Sequence, residues 1–215
     1  MSEVNRDSLF AVDREVARRD FLKTAAWATA AISAAGIGGF GVAVRKAHAV
    51  HEGYVEIGPL AILQFAYQLE LLEGTFYAEG VNAGLFAEPA LTQIAAIRDH
   101  EMAHADALAE AIVANGGEVP ATPTFTYPEG VFADPAAFLE LAATFEPVGV
   151  GAYQGAAPAL IGNELLGAAL SIHNAEAQHV VGINILLGIN PPANLAFTEA
   201  LALPDVQAAV APFGL

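Results

Sequence analysis

The sequence predicts an all-α chain: a four-helix bundle of two antiparallel hairpins joined by a long crossover, with a short further helix near the C-terminus. Three observations predict it. Four apolar segments, each far longer than a strand and rich in Ala, Leu and Glu, follow residue 50. The connections between them run short, long, short, which pairs the first helix with the second and the third with the fourth. Finally, Glu-x-x-His occurs in the second segment, at Glu101 and His104, and again in the fourth, at Glu176 and His179.

The first segment covers about residues 57–81, "IGPLAILQFAYQLELLEGTFYAEGV". The second covers about 89–114, "PALTQIAAIRDHEMAHADALAEAIVA". Pro89 suits a first helical position, and Asn115-Gly116-Gly117 stops the helix. The third covers about 135–154, with Asp134 as its N-cap and Pro135 directly behind it. Pro147 inside this segment predicts a kink or a late start, and Gly149, Gly151 and Gly155 predict a weakened helix or close packing. The fourth segment covers about 159–187. Short stretches near 82–88 and 155–158 close the hairpins, and a proline-punctuated stretch of about 115–134 is the crossover. The tail opens with Pro191-Pro192 and has room for a short helix near 197–212.

Residues 1–49 stand apart. Arg18-Arg19-Asp20-Phe21-Leu22-Lys23 precedes a mild apolar stretch over 24–44, then Arg45-Lys46 and Ala47-His48-Ala49. The order resembles a twin-arginine export signal, which implies delivery to the periplasm, cell surface or exterior. The other reading of the stretch is a retained membrane anchor. The expected organisation is therefore a signal at 1–49, a bundle at 50–190 and a tail at 191–215.

All lysines and all arginines but Arg98 lie in the first 49 residues; nineteen Asp and Glu follow them. Such a chain cannot neutralise phosphates, so nucleic acid is excluded as a partner, and anionic lipid surfaces repel it. No membrane contact is expected unless the signal stays as an anchor. The chain has no cysteine, which excludes disulfides, thiolate catalysis and thiolate metal sites. Hydrophobic residues make up 55% of it, and helices apolar nearly all round point to a homo-oligomer or a partner surface.

The charged residues that remain are badly placed for solvation. Glu101 and His104 fall on the apolar stripe Ile94, Glu101, His104, Leu108; Glu176 and His179 fall on Ile172, Glu176, His179, Ile183. Residues three apart in a helix reach one point, and a carboxylate with an imidazole suits iron, manganese or, less well, zinc. The first helix carries Glu70 on the stripe Leu63, Ala66, Tyr67, Glu70, Tyr77, and the third carries Glu146. Each of these glutamates has a tyrosine seven residues on, Tyr77 and Tyr153. Glu70 precedes Glu101 by 31 residues and Glu146 precedes Glu176 by 30, so the two halves read as a diverged duplication. One Glu from each of two helices and Glu-x-x-His from each of the others is a di-metal carboxylate set. The candidate ligands are Glu70, Glu101, His104, Glu146, Glu176 and His179, holding two iron or manganese ions. Glu73, three residues after Glu70, is the alternative ligand or a supporting residue; the matched step to tyrosine favours Glu70. Tyr77 and Tyr153 either hydrogen-bond ligand carboxylates or relay electrons, or are core tyrosines with a satisfied hydroxyl. His100 reads as a flank residue and His173 as a satisfied helix histidine.

The stretches "LELLEGTFYAEG", "RDHEMAHADAL", "TFEPVGVGAYQGAAP" and "SIHNAEAQHVVG", in that order, resemble the exported ferritin-like proteins, the group that contains bacterial and fungal desiccation-related proteins. The resemblance spans about residues 58–187, and "GVGAYQGAAP" is what points to this branch. It implies a ferritin-like bundle with a di-metal centre, of the di-iron carboxylate superfamily. Three roles are compatible with that: redox chemistry with ferrous iron, oxygen or peroxide in stress protection; a non-catalytic envelope or desiccation-related protein with a structural or vestigial metal site; and, with least support, iron storage in a cage.

Overall fold

The computed structural model describes residues 52–215, so the twin-arginine motif, the cleavage site and the boundary expected at residue 49 lie outside the described residues. Five α-helices and no strand occur among those described: α1 Glu52–Asn82, α2 Ala90–Ala114, α3 Pro135–Ala156, α4 Leu165–Leu186 and α5 Leu203–Val210. Helix α1 packs chiefly on α2 and α3 chiefly on α4, the two hairpins that the short connections predict. None of these helices is long and apolar enough to cross a membrane.

Local chemistry explains the ends of the elements. Gly58 breaks α1 near its start, at φ 75° and ψ 168°, a region open to glycine, and Pro59 restarts the helix with its fixed φ. Helix α3 starts as predicted: Asp134 Oδ1 accepts the Ala136 N–H at 2.9 Å. It then runs as one element through Pro147 to Ala156. Helix α4 starts later than expected, at Leu165. A 3-10 turn at Ala157–Leu160 and a left-handed Gly162 intervene, and Asn163 Oδ1 accepts the Leu165 N–H at 2.9 Å in the turn that leads into the helix. The C-terminal helix also starts later than expected. Before it, the tail lies extended against α3, where Leu201 N–H donates to Gly151 C=O at 2.9 Å. Close packing is therefore the role of the α3 glycines: a Cβ on Gly155 would sit 2.0 Å from the Leu201 carbonyl oxygen. The crossover is tied to α1 by Tyr127, whose hydroxyl donates to Leu72 C=O at 2.9 Å.

The core is two apolar clusters. One gathers Leu72, Phe76, Tyr77, Ile94, Ile97, Phe138, Phe145, Ile183 and Val206. The other gathers Ile62, Leu63, Leu108, Ile112, Tyr153, Leu165 and Ile172. Phe76 anchors the first, stacked on Phe138 at 4.2 Å between centroids and edge-on to Phe145 at 5.2 Å. Each fully buried side chain of this size contributes about 1.5–3 kcal/mol. On α1 the second cluster precedes Glu70 and the first, Leu69 apart, follows it; on α2 the order is reversed about Glu101 and His104. The clusters therefore flank a polar layer that crosses the bundle at mid-height.

Candidate metal centre

That layer holds Glu70 and Glu73 from α1, Glu101 and His104 from α2, Glu146 from α3, and Glu176 and His179 from α4. The carboxylates are at most 5% exposed and His179 is 3% exposed, whereas His104 is 14% exposed and forms the solvent side of the layer. Burying this many charges is costly unless cations or protons offset them.

The ligand-type atoms converge in two overlapping groups. Glu70, Glu101, His104 and Glu176 bring one such atom each within 4.8 Å of one another; so do Glu101, Glu146, Glu176 and His179. Glu101 and Glu176 belong to both groups. His104 Nδ1 lies 3.1 Å from Glu70 Oε2, 3.1 Å from Glu101 Oε2 and 3.2 Å from Glu176 Oε1. His179 Nδ1 lies 2.7 Å from Glu101 Oε1, 3.4 Å from Glu146 Oε2 and 3.6 Å from Glu176 Oε2. Each shared carboxylate thus turns one oxygen to each imidazole. Glu70 and Glu146 sit at the ends of the layer, one per group. Glu73 is buried in the layer but belongs to neither group.

The donor set fits a pair of divalent cations. Glu101 Oε1, Glu146 Oε2, both oxygens of Glu176 and His179 Nδ1 are buried without a hydrogen-bond partner, although His179 Nδ1 and Glu101 Oε1 are only 2.7 Å apart. Atoms that meet at a point without donor–acceptor alignment are what ions, rather than hydrogen bonds, satisfy. The two groups together could hold two cations, with Glu101 and Glu176 between them.

Tyrosines hold the outer carboxylates, and they do so across the halves of the chain. Tyr77 of α1 donates a short hydrogen bond to Glu146 Oε1 of α3; Tyr153 of α3 donates one to Glu70 Oε1 of α1. Both phenols are pushed up by burial and by the carboxylate each one faces, so both stay protonated donors. Protons alone also describe the strain in the layer. Burial, then the charge of Glu176, pushes Glu70 and Glu73 well above the usual carboxylate range. Burial lifts Glu146 to about 8. Burial acts the same way on Glu101, but the adjacent His104 and His179 outweigh it and hold it at about 2. Burial disfavours the His104 cation, yet Glu101, Glu176 and Glu70 raise it to about 11, and His179 is raised by the same kind of surroundings.

The six candidate ligands are therefore brought together, with both tyrosines bonded to carboxylates of the layer. Two histidines differ from their sequence reading. His100 is no mere flank residue: its Nδ1 lies 3.0 Å from His179 Nε2, and the two rings stack at 5.3 Å. With Nδ1 of His179 facing the layer, the contact of its Nε2 with His100 fixes the ring's orientation. The available signal was the four-residue step from His100 to His104, which puts both on one side of α2. His173 is not satisfied, since its Nε2 is buried without a partner.

Residues 58–188 match the family described as the ferritin-like domain. No curated protein matches the chain significantly.

Proposed function

The chain belongs to the ferritin-like domain family, and we propose that it is an exported protein whose bundle holds two iron or manganese ions for redox chemistry with ferrous iron, oxygen or peroxide in stress protection. The observation that carries this reading is the pair of overlapping four-residue groups that share Glu101 and Glu176. Bound there, two such ions would supply a two-electron change of redox state and Lewis acidity toward an oxidant. The protein's own residues do the rest. Four carboxylates would offset the ionic charge, Tyr77 and Tyr153 hold the outer pair in place, and His100 holds His179. The two apolar clusters keep bulk water from the layer, and the partly exposed His104 marks its open side.

Export is supported by Arg18-Arg19, the apolar stretch and Ala47-His48-Ala49. "GVGAYQGAAP" supports the desiccation-related branch. Self-association is supported by large apolar side chains left in solvent on the tail, Leu195 and Phe197. The near-complete burial of the carboxylates also favours a second reading, in which the ions only stabilise the bundle in a non-catalytic envelope protein.

Metal content measured by mass spectrometry on natively exported protein tests the centre. The expected result is about two iron or manganese ions per chain, lost in the Glu101→Ala, Glu176→Ala double variant. No metal in either protein, with equal stability, would overturn the reading. Metal without turnover of ferrous iron, oxygen or peroxide would leave the structural role.

A further inference from the structure

We propose that the outer face of α4, continued by the tail that follows it, is the surface on which a second copy of this chain docks; this names the face for the self-association proposed above and does not depend on metal. Gly167, Leu170, Ser171, Asn174, Gln178 and Ile185 fall on one outer stripe of α4, and all are exposed. Leu170 is 51% and Ile185 59% exposed. None of the six is charged, and the only Asp, Glu, Lys or Arg in residues 165–198 is Glu176, which is buried. Every other helix shows acids to solvent: Glu56 and Glu79 on α1, Asp99, Asp106 and Glu110 on α2, Glu140 on α3 and Asp205 on α5. The uncharged stretch continues past α4 into the tail. Asn184 Nδ2 donates to Pro192 C=O at 2.8 Å, and the Thr198 hydroxyl donates to Gln154 Oε1 at 2.6 Å, so this part of the tail is tied to α4 at one end and to α3 at the other. Between those ties it exposes Leu195 and Phe197.

Charge selects the occupant. Residues 50–215 carry nineteen acids against one base, Arg98, a net charge of −18 with histidines neutral. Two copies of such an anion repel wherever their acids meet, and like charges set against each other in an interface are costly. Alone among the helices, α4 offers a stripe on which the copies meet without that cost. A basic partner would be drawn instead to α2, where Asp99, Asp106 and Glu110 share one stripe. A lipid surface would take the side-chain amides of Asn174 and Gln178 into hydrocarbon, which does not solvate them. Protein satisfies both the apolar and the amide groups. The stripe also complements itself, as a two-fold interface requires. Leu170 lies eight residues before Gln178 and Ile185 seven after it. Antiparallel packing of α4 on its own copy, about an axis near Gln178, sets Leu170 of each chain against Ile185 of the other and brings the two Gln178 side chains together at the axis.

Natively exported protein should sediment as a dimer at micromolar concentration. The chain has no cysteine, so an introduced thiol reports the contact. Gln178→Cys should give a covalent dimer under mild oxidant, and Asp106→Cys on α2 should not. Leu170→Glu with Ile185→Glu should weaken dimerisation by at least about 100-fold, because it sets acids against acids across the axis. Both side chains are exposed, so the circular dichroism spectrum and metal content of that variant should stay unchanged. Added salt should tighten the dimer of the unaltered protein, since it screens the repulsion between the copies and the stripe holds no ion pair to weaken. A monomer at every concentration would overturn the proposal and the self-association with it. A dimer that survives the double variant, or that cross-links through Asp106→Cys and not through Gln178→Cys, would leave self-association standing and overturn the α4 face. Binding of the unaltered protein to phosphatidylcholine vesicles as a monomer, lost in the double variant, would give the face to lipid and overturn the second copy as its occupant.

Discussion

Glu70 and Glu146 are each held by a tyrosine from the opposite half of the chain, Tyr153 and Tyr77. A carboxylate held by a buried phenol has one oxygen occupied and the other aimed. Removing the phenol oxygen leaves the packing but frees the carboxylate to rotate. Tyr153→Phe is therefore expected to keep the fold and weaken metal binding by about 10–100-fold. Competition against a chelator of known affinity, with a thermal melt as control, measures this. An unchanged affinity would make Tyr153 a packing residue only.

Among the elements, α3 has the most constrained surroundings, because the tail lies on it at Gly151 and Gly155. A methyl group on Gly155 meets the Leu201 carbonyl oxygen at 2.0 Å, and backbone cannot yield as a side chain does. Gly155→Ala should destabilise the protein by about 1–3 kcal/mol through overpacking. Gly167 in α4 is the control, since a Cβ there meets nothing within 4 Å. Gly167→Ala should raise stability by about 0.5–1 kcal/mol, the gain of Ala over Gly in a helix. Denaturant unfolding of both variants checks the pair, and equal effects would mean that the tail does not hold its place on α3.

At the scale of the whole molecule, the polar layer ties stability to pH and to metal. In metal-stripped protein Glu146, at about 8, and His104, at about 11, hold protons that the unfolded chain gives up near 4.5 and 6.5. The folded state then binds more protons than the unfolded one, so stability falls as pH rises across this window. Each such proton contributes about 1.4 kcal/mol per pH unit. Glu101, at about 2, has the opposite sign: its contribution is present above about 4.5 and is lost toward pH 2. Metal-stripped protein should therefore melt at lower temperature at pH 9 than at pH 6, and added divalent iron or manganese should remove most of the difference by displacing those protons. Melting curves across pH, with and without metal, decide it; a flat pH response without metal would contradict this charge arrangement.

The helices and the candidate ligands were legible in the sequence because both are local matters. Apolar period, Pro and Gly stops and the Asp134 cap each act within one or two turns, and Glu-x-x-His places two donors on one face whatever the rest of the chain does. Starts controlled by less regular chemistry were misjudged: Gly162 and Asn163 delay α4, and the extended tail along α3 delays α5. Only the tertiary structure decided that Glu101 and Glu176 are shared while Glu70 and Glu146 stand at the ends, that the tyrosines pair crosswise, and that His100 reaches His179. Those relations depend on how far each helix is rotated and shifted against its neighbours. Side chains packed across the whole bundle set that rotation and shift, and no spacing along one helix encodes them.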